Sequence, residues 1–183
     1  MALIECDFYS ETLGMPASVI VILPRQSGPE LRGRRHPVLT LLHGLSDDHT
    51  VWLRQTAIER YAVARGLAVV MPNVHRSFCV DMKSGPRYWT FLSEELPDVT
   101  RDFFPLSGKR EHTFVAGLSM GGYGAFKLAL RRPDMYAAAA SLSGVMDAAA
   151  MFHEDGEEWQ RELATIFGSE EELRGGNADL FAL

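Results

Sequence analysis

The feature that most constrains this chain is the pentapeptide GLSMG at residues 117–121, which follows an apolar stretch (113–118) and opens a helical pattern (121–131). A serine flanked by glycines at a strand-to-helix junction predicts a nucleophile elbow, a tight turn that lifts the serine hydroxyl into a cleft. The strained backbone of such a turn requires small neighbours. The glycines that meet this need are Gly117, Gly121 and Gly122. Ser119 is therefore the predicted nucleophile, and the alternative is a Gly-rich turn with a passive serine.

Two backbone N–H groups are predicted to form an oxyanion hole beside Ser119. The first belongs to Met120, because the N-terminus of a helix presents free N–H groups and a favourable dipole to a developing negative charge. The second belongs to Leu45 or a close neighbour, in the His43-Gly44 turn that ends a predicted strand. Hydrolases with an elbow place their second donor in a loop of this kind.

The His43 side chain has two competing interpretations. Its ring could serve as a catalytic base, but hydrogen bonds that support the loop are the preferred prediction. A metal site formed with Asp47, Asp48 and His49 is a further alternative. The spacing of these residues matches no recognised zinc pattern, so no metal is predicted.

The order of apolar segments predicts an α/β fold with a mostly parallel sheet flanked by helices on both faces. The predicted strands are 3–9, 17–23, 37–42, 67–71, 113–118 and 135–142. The predicted helices are 56–65 with Gly66 as its cap, 88–104 with a kink or break at Pro97, and 121–131. A linker is predicted at 25–36, where Gly, Pro and a basic cluster separate two apolar runs.

Charge and composition narrow the classes of partner. The 183 residues carry a net charge of -6, which disfavours nucleic acid and anionic membrane surfaces. No apolar run approaches the length of a membrane span. The N-terminus has no basic stretch typical of a secretory signal, and the two cysteines are expected to be reduced thiols. These features predict a cytoplasmic protein that acts on a small molecule.

Three segments resemble one known family. LLHGLSDDHTVW (41–52), RYWTFLSEELPDV (87–99) and TFVAGLSMGGYGAFKLAL (113–130) are similar to the bacterial tributyrin esterases, in the esterase D-like group that includes S-formylglutathione hydrolases and feruloyl esterases. The resemblance runs along essentially the whole chain and implies an α/β-hydrolase fold, a Ser-Asp-His triad, hydrolysis of short-chain acyl esters and no cofactor. It also implies oxyanion N–H groups at Leu45 and Met120. Three aromatic residues are candidates to line the substrate pocket, namely Trp52, Tyr88 and Trp89.

The acid and histidine of the triad are not evident after Ser119. Hydrolases of this fold order the triad as Ser, Asp or Glu, then His. The only later histidine is His153, which lies in an acidic helical stretch that resembles a surface insertion of the family. We therefore expect residues 1–183 to be the N-terminal portion of a single α/β-hydrolase domain, with the triad Asp and His beyond Leu183 and with negligible activity in the isolated fragment.

The same residues also fit alternatives to a carboxylesterase. An acyltransferase or a thioesterase similar to S-formylglutathione hydrolase would use the same fold and nucleophile. A catalytically dead module that acts by association is the non-enzymatic alternative. The strand at 135–142 is apolar and carries no charge, so its open edge is expected to make residues 1–183 alone self-associate or aggregate.

Overall fold

A computed structural model describes residues 1–25 and 33–183 of the chain. The predicted linker at 25–36 lies largely outside the described residues. The central sheet has six strands, which are β1 Ala2–Ser10, β2 Met15–Leu23, β3 Val38–Leu42, β4 Ala68–Pro72, β5 Thr113–Leu118 and β6 Ala138–Leu142. Their order across the sheet is β1-β2-β4-β3-β5-β6.

The sheet is antiparallel at one side and parallel at the other. β1 pairs antiparallel with β2, and β2 pairs antiparallel with β4. β4, β3, β5 and β6 then run parallel to one another. Because parallel strands end at one edge of a sheet, the residues that follow β3 and β5 meet there. Leu42 lies opposite Gly117 in the β3–β5 register, which brings the His43-Gly44 turn next to the GLSMG segment.

Helices cover both faces of the sheet. The α-helices are α1 Val51–Gln55, α2 Ile58–Arg65, α3 Tyr88–Thr90, α4 Leu96–Phe103, α5 Met120–Arg131, α6 Glu157–Phe167 and α7 Glu170–Leu173. A π-helical turn at Phe91–Glu95 joins α3 to α4, and short 3₁₀ helices occur at Arg110–His112 and Ala149–His153. None of the helices in the described parts of the chain is both long and apolar enough to cross a membrane.

Several predicted boundaries differ from the structure. Of the kink or break predicted at Pro97, the break does not occur, because Tyr88–Phe103 is helical throughout and contains a π-helical turn just before the proline. Pro97 has no N–H that could donate a helical hydrogen bond to the carbonyl of Ser93, four residues earlier. Arg132 donates to that carbonyl at 2.6 Å instead. The strand predicted from residue 135 begins at Ala138, since residues 133–135 form a turn.

The hydrophobic core has two parts, one on each face of the sheet. The larger part contains α5 and the cover formed by α6 and α7, with Tyr123 and Leu163 fully buried within it. The smaller part lies under α1 and α2, where Ile20, Leu41 and Met71 are buried. The sheet is therefore sandwiched between helices, and the predicted α/β fold is confirmed.

Candidate active site

Ser119 occupies the junction between β5 and α5. Its backbone has φ 54° and ψ -117°, a left-handed conformation that side-chain-bearing residues rarely adopt. The Ser119 N–H donates to the Leu142 carbonyl of β6 at 2.9 Å, and its own carbonyl accepts from Tyr123 at 3.0 Å. The serine is thus held at the N-terminus of a 12-residue helix, a position whose free N–H groups can stabilise an anion.

Close backbone contacts explain the glycines around this serine. A Cβ on Gly121 would lie 2.5 Å from the Leu42 carbonyl oxygen and 2.6 Å from that of His43. A Cβ on Gly117 would overlap the backbone of Gly121. A Cβ on Gly122 would lie 2.5 Å from Ser141 Oγ. Real Cβ atoms do not approach backbone atoms as closely as those on Gly117 and Gly121 would, so β3, β5 and α5 can meet at the elbow only with glycine at these two positions.

The turn after β3 lies directly against the elbow. A Cβ on Gly44 would lie 3.8 Å from Ser119 Cβ. His43 is fully buried, and its Nδ1 hydrogen-bonds the Gly44 carbonyl at 2.8 Å while its Nε2 accepts the Val74 N–H at 3.0 Å. Burial lowers the pKa of His43, an effect only partly offset by the Gly44 hydrogen bond and nearby Asp47 and Asp48. A neutral ring with both nitrogens occupied supports the loop, as preferred above, and has no nitrogen left to act as a base.

The two residues predicted to supply oxyanion N–H groups lie close to the elbow. Met120 is the first residue of α5 and is fully buried. Leu45 follows Gly44 in the turn that packs against the elbow, and it lines a cleft of about 700 Å³. The structure therefore brings the residues of the two separate sequence segments to one edge of the sheet.

Of the three predicted pocket aromatics, Tyr88 lines this cleft and the other two lie elsewhere. Trp52 packs on the opposite face of the sheet with the smaller core and donates to the Leu42 carbonyl at 3.2 Å. Trp89 lies beside α5, where Lys127 Nζ is 4.8 Å and Arg131 Cζ is 4.3 Å from its ring centroid. Lys127 is almost completely buried, and this burial lowers its pKa to about 7.

One wall of the cleft is formed by α6, whose residues were not among the predicted site residues. Glu162, Thr165 and Ile166 line the cleft from this helix. Arg76 forms a two-pronged ion pair with Glu162, with Nη2 at 2.7 Å from Oε2. The N–H groups of Lys83 and Ser84 donate to carbonyls at the end of α6. Leu163, Ile166 and Phe167 are buried along one side of this acidic helix. Their apolar side chains, three and four positions apart, are the signal in the sequence that the helix packs on the core.

The structure places His153 on the surface. Its side chain is 68% exposed, and its Nε2 lies 3.3 Å from a Glu170 carboxylate oxygen. No histidine in residues 1–25 and 33–183 hydrogen-bonds the Ser119 hydroxyl.

The polar residues of the alternative metal site are used in other ways. Asp48 accepts hydrogen bonds from the N–H and hydroxyl of Thr50. Within the described portion of the chain, no group of three His, Cys, Asp or Glu side chains is arranged to hold a metal ion.

This strand order, with the strained serine between β5 and α5, is that of an α/β-hydrolase. The chain belongs to the Esterase family, whose model matches residues 10–174. An acetyl esterase from Caldicellulosiruptor saccharolyticus is 31% identical over 152 residues, and the match covers 80% of this chain and 57% of that protein.

Two further relatives are similar over more of their length. An S-formylglutathione hydrolase from Paracoccus denitrificans is 27% identical, with 91% of this chain and 69% of that protein covered. The structure of the fluorophosphonate-binding serine hydrolase FphF from Staphylococcus aureus matches with a TM-score of 0.90 and 37% identity, over 99% of this chain and 71% of that one. The match thus spans between 57% and 71% of the length of these relatives.

Proposed function

We propose that this chain carries the nucleophile and oxyanion hole of a serine carboxylesterase that hydrolyses short-chain acyl esters. The observation that carries the proposal is the backbone of Ser119, which is held at φ 54° and ψ -117° between a strand and a helix N-terminus. Strain of this kind costs of order 1–3 kcal/mol and persists where the surrounding structure enforces it, most often at functional sites. Membership of the Esterase family supports the same conclusion.

The proposed reaction is acyl transfer through Ser119. The Ser119 oxygen attacks the ester carbonyl, its proton passes to a general base, and the carbonyl oxygen becomes an oxyanion. The backbone N–H groups of Met120 and Leu45 stabilise that charge. Collapse expels the alcohol, which takes up the proton, and leaves an acyl-serine. Water then attacks the acyl group, releases the carboxylic acid and restores the serine hydroxyl.

A covalent probe tests whether Ser119 is the nucleophile. The complete encoded protein is treated with a fluorophosphonate, and the labelled peptide is identified by mass spectrometry. We expect one label on Ser119 and none after Ser119→Ala. Ser143→Ala is the matched control, because Ser143 also has a positive φ (48°) but lies after β6. Label on another serine, or label that survives Ser119→Ala, would refute the assignment.

A thioesterase activity is the second candidate. The observation that favours it is the similarity to an S-formylglutathione hydrolase, a match that covers 91% of this chain. Paired assays of an acyl thioester and the matching oxygen ester separate the two activities. A kcat/KM much higher for the thioester would assign the thioesterase, and added alcohol that diverts the product to a new ester would assign an acyltransferase.

We also propose that residues 1–183, taken alone, associate through β6. This strand lies at one end of the sheet, and exposed residues alternate along it at Ala138, Ala140 and Leu142. None of its side chains carries a charge that would block edge pairing. Light scattering over a range of concentrations should show association that Ala140→Lys reduces. Ala164→Lys, on an exposed position of α6, is the control and should leave it unchanged.

The cytoplasm is the compartment we propose for this enzyme. Both cysteines, Cys6 and Cys79, are free thiols, as expected in a reducing environment. Cell fractionation with an antibody to the protein tests this location.

A further inference from the structure

The Asp47 carboxylate lies in the cleft next to the Gly44 turn and has no hydrogen-bond or ion-pair partner among the described residues. Asp47 lines the cleft, and one of its carboxylate oxygens would lie 3.2 Å from a Cβ on Gly44. The same Cβ would lie 3.8 Å from Ser119 Cβ, so Asp47 and Ser119 approach the same glycine. In residues 1–25 and 33–183, no hydrogen bond or ion pair reaches the Asp47 side chain. Its neighbour Asp48, in contrast, is held by Thr50 and Arg54.

The other charged side chains of the cleft compensate one another. Arg76 and Glu162 both line it, and they form a bidentate ion pair. His43 is the titratable group electrostatically coupled to Asp47, and burial lowers the pKa of His43, which keeps the ring neutral. The carboxylate of Asp47 is therefore the uncompensated charge among the described residues that line the cleft.

The rest of the lining suits a cation that carries apolar groups, such as an alkylammonium. Methionine, leucine, proline and isoleucine side chains line the cleft, together with exposed His75 and the largely buried Tyr88, whose ring centroids are 6.2 Å apart. Alkylammonium groups are bound in proteins by aromatic faces together with a nearby negative charge. A cleft of about 700 Å³ has room for a small ammonium ester with both its acyl and alcohol parts.

We propose that Asp47 is a specificity-determining residue that makes this site favour esters with a cationic alcohol part over neutral esters of the same shape. The proposal rests on the esterase function proposed above. Since Asp47 and Ser119 flank Gly44, a cation in the alcohol part of a bound ester would lie near the carboxylate while the ester carbonyl lies at the serine. Anionic alcohol parts would be disfavoured by the same charge.

Two esters that differ only in charge test the proposal. Acetylcholine and 3,3-dimethylbutyl acetate have the same shape, with a quaternary nitrogen in the first and a quaternary carbon in the second. The quantity measured is the ratio of their kcat/KM values, taken in the complete encoded protein and in Asp47→Asn. The ratio in Asp47→Asn supplies the baseline, which removes the intrinsic difference in reactivity between the two esters.

We expect the ratio for the unaltered protein to exceed that of Asp47→Asn by about tenfold, and the excess to shrink at high salt, because a partly exposed charge is screened. Asp48→Asn is the matched control, since it removes the adjacent, paired carboxylate. It should keep the ratio of the unaltered protein. Equal ratios in the unaltered protein and in Asp47→Asn, or an equal fall in Asp48→Asn, would overturn the proposal.

A binding measurement separates this proposal from the esterase activity itself. Choline and 3,3-dimethylbutan-1-ol are titrated by ligand-observed NMR, which requires no turnover. Tighter binding of choline by the unaltered protein, lost in Asp47→Asn, would uphold the role of Asp47 even if neither ester were hydrolysed. Choline binding that is unaffected by Asp47→Asn would overturn it. Absence of hydrolysis of both esters would count against the esterase function alone.

Discussion

His43 Nε2 accepts the backbone N–H of Val74 at 3.0 Å, and this bond joins the turn after β3 to the turn after β4. Its Nδ1 bonds the Gly44 carbonyl at 2.8 Å, so the ring also fixes the turn that carries Leu45. One buried side chain thereby links the turn after β3, which carries the proposed oxyanion donor, to the turn after β4, which carries His75 and Arg76. This explains why a histidine follows β3 although its ring makes no hydrogen bond to the Ser119 hydroxyl.

The first prediction concerns this ring and its titration. Because burial lowers the pKa of His43 from its ordinary 6.5, the unfolded chain binds a proton more readily than the folded one. The resulting stabilisation is fully present above pH 6.5 and is lost as the pH falls toward the lowered pKa. We expect His43→Gln to flatten this part of the stability-pH profile measured by urea unfolding. An unchanged slope would contradict the role given to His43.

A second prediction concerns Gly121. Its missing Cβ leaves room for the carbonyl oxygens of Leu42 and His43, which a methyl group would meet at 2.5 and 2.6 Å. We expect Gly121→Ala to lower the free energy of unfolding by about 2 kcal/mol or more and to reduce ester turnover. Gly108→Ala is the control, because its Cβ would meet Arg101 at an ordinary 3.7 Å. Equal stability of the two variants would show that the elbow is not tightly packed.

Sequence patterns predicted the elements that depend on neighbouring residues. The strand–GLSMG–helix segment is local, and its glycines alone indicate how closely the chains approach at the elbow. The six strands were each located within a few residues for the same reason, because continuous apolar runs such as 67–71 are typical of buried strands.

Features that depend on distant residues could not be predicted in this way. Pro97 leaves the Ser93 carbonyl without a helical donor. Arg132, 39 residues from Ser93, donates to that carbonyl, and no residue near Pro97 indicates this contact in the sequence. The same holds for the cleft, one wall of which is α6. In the sequence, Trp52 and Trp89 are as good candidates for pocket residues as Tyr88. Only the packing of Trp52 with the smaller core and of Trp89 against α5 shows that these two lie away from the cleft.

The third prediction concerns Glu95, in the LSEELP segment. Its carboxylate accepts from the Ser10 hydroxyl at 2.5 Å and from the N–H groups of Glu11 and Thr12, which anchors the β1–β2 hairpin to the helix. We expect Glu95→Gln to lower the free energy of unfolding by about 1–3 kcal/mol. Glu94→Gln, on the adjacent exposed residue, should have little effect.

The pH dependence of that loss provides a check on its cause. Burial would raise the pKa of Glu95, but the hydrogen bonds from Ser10, Thr12 and Glu11 outweigh it and hold the pKa below the ordinary 4.5. The stabilisation is present above pH 4.5 and disappears as the pH falls through the lowered pKa. Glu95→Gln and the unaltered protein should therefore converge in stability in strong acid, and a constant difference at every pH would contradict this explanation.

The fourth prediction separates His153 from catalysis. Its side chain is 68% exposed and pairs with Glu170 on α7. We therefore expect His153 to contribute only a surface contact. We expect His153→Gln to keep kcat/KM for a short-chain nitrophenyl ester in the complete encoded protein, with a stability change within about 0.5 kcal/mol. A fall of a hundredfold or more would assign the base to His153.

The central claim is that Ser119 is the nucleophile. The most direct measurement is the steady-state hydrolysis of a short-chain nitrophenyl ester by the complete encoded protein and by its Ser119→Ala variant, with folding of both verified by thermal unfolding. We predict that kcat falls by about 10³-fold or more while the melting temperature is retained, because loss of the nucleophile leaves only residual catalysis. Turnover near that of the unaltered protein in a folded Ser119→Ala variant would contradict the account.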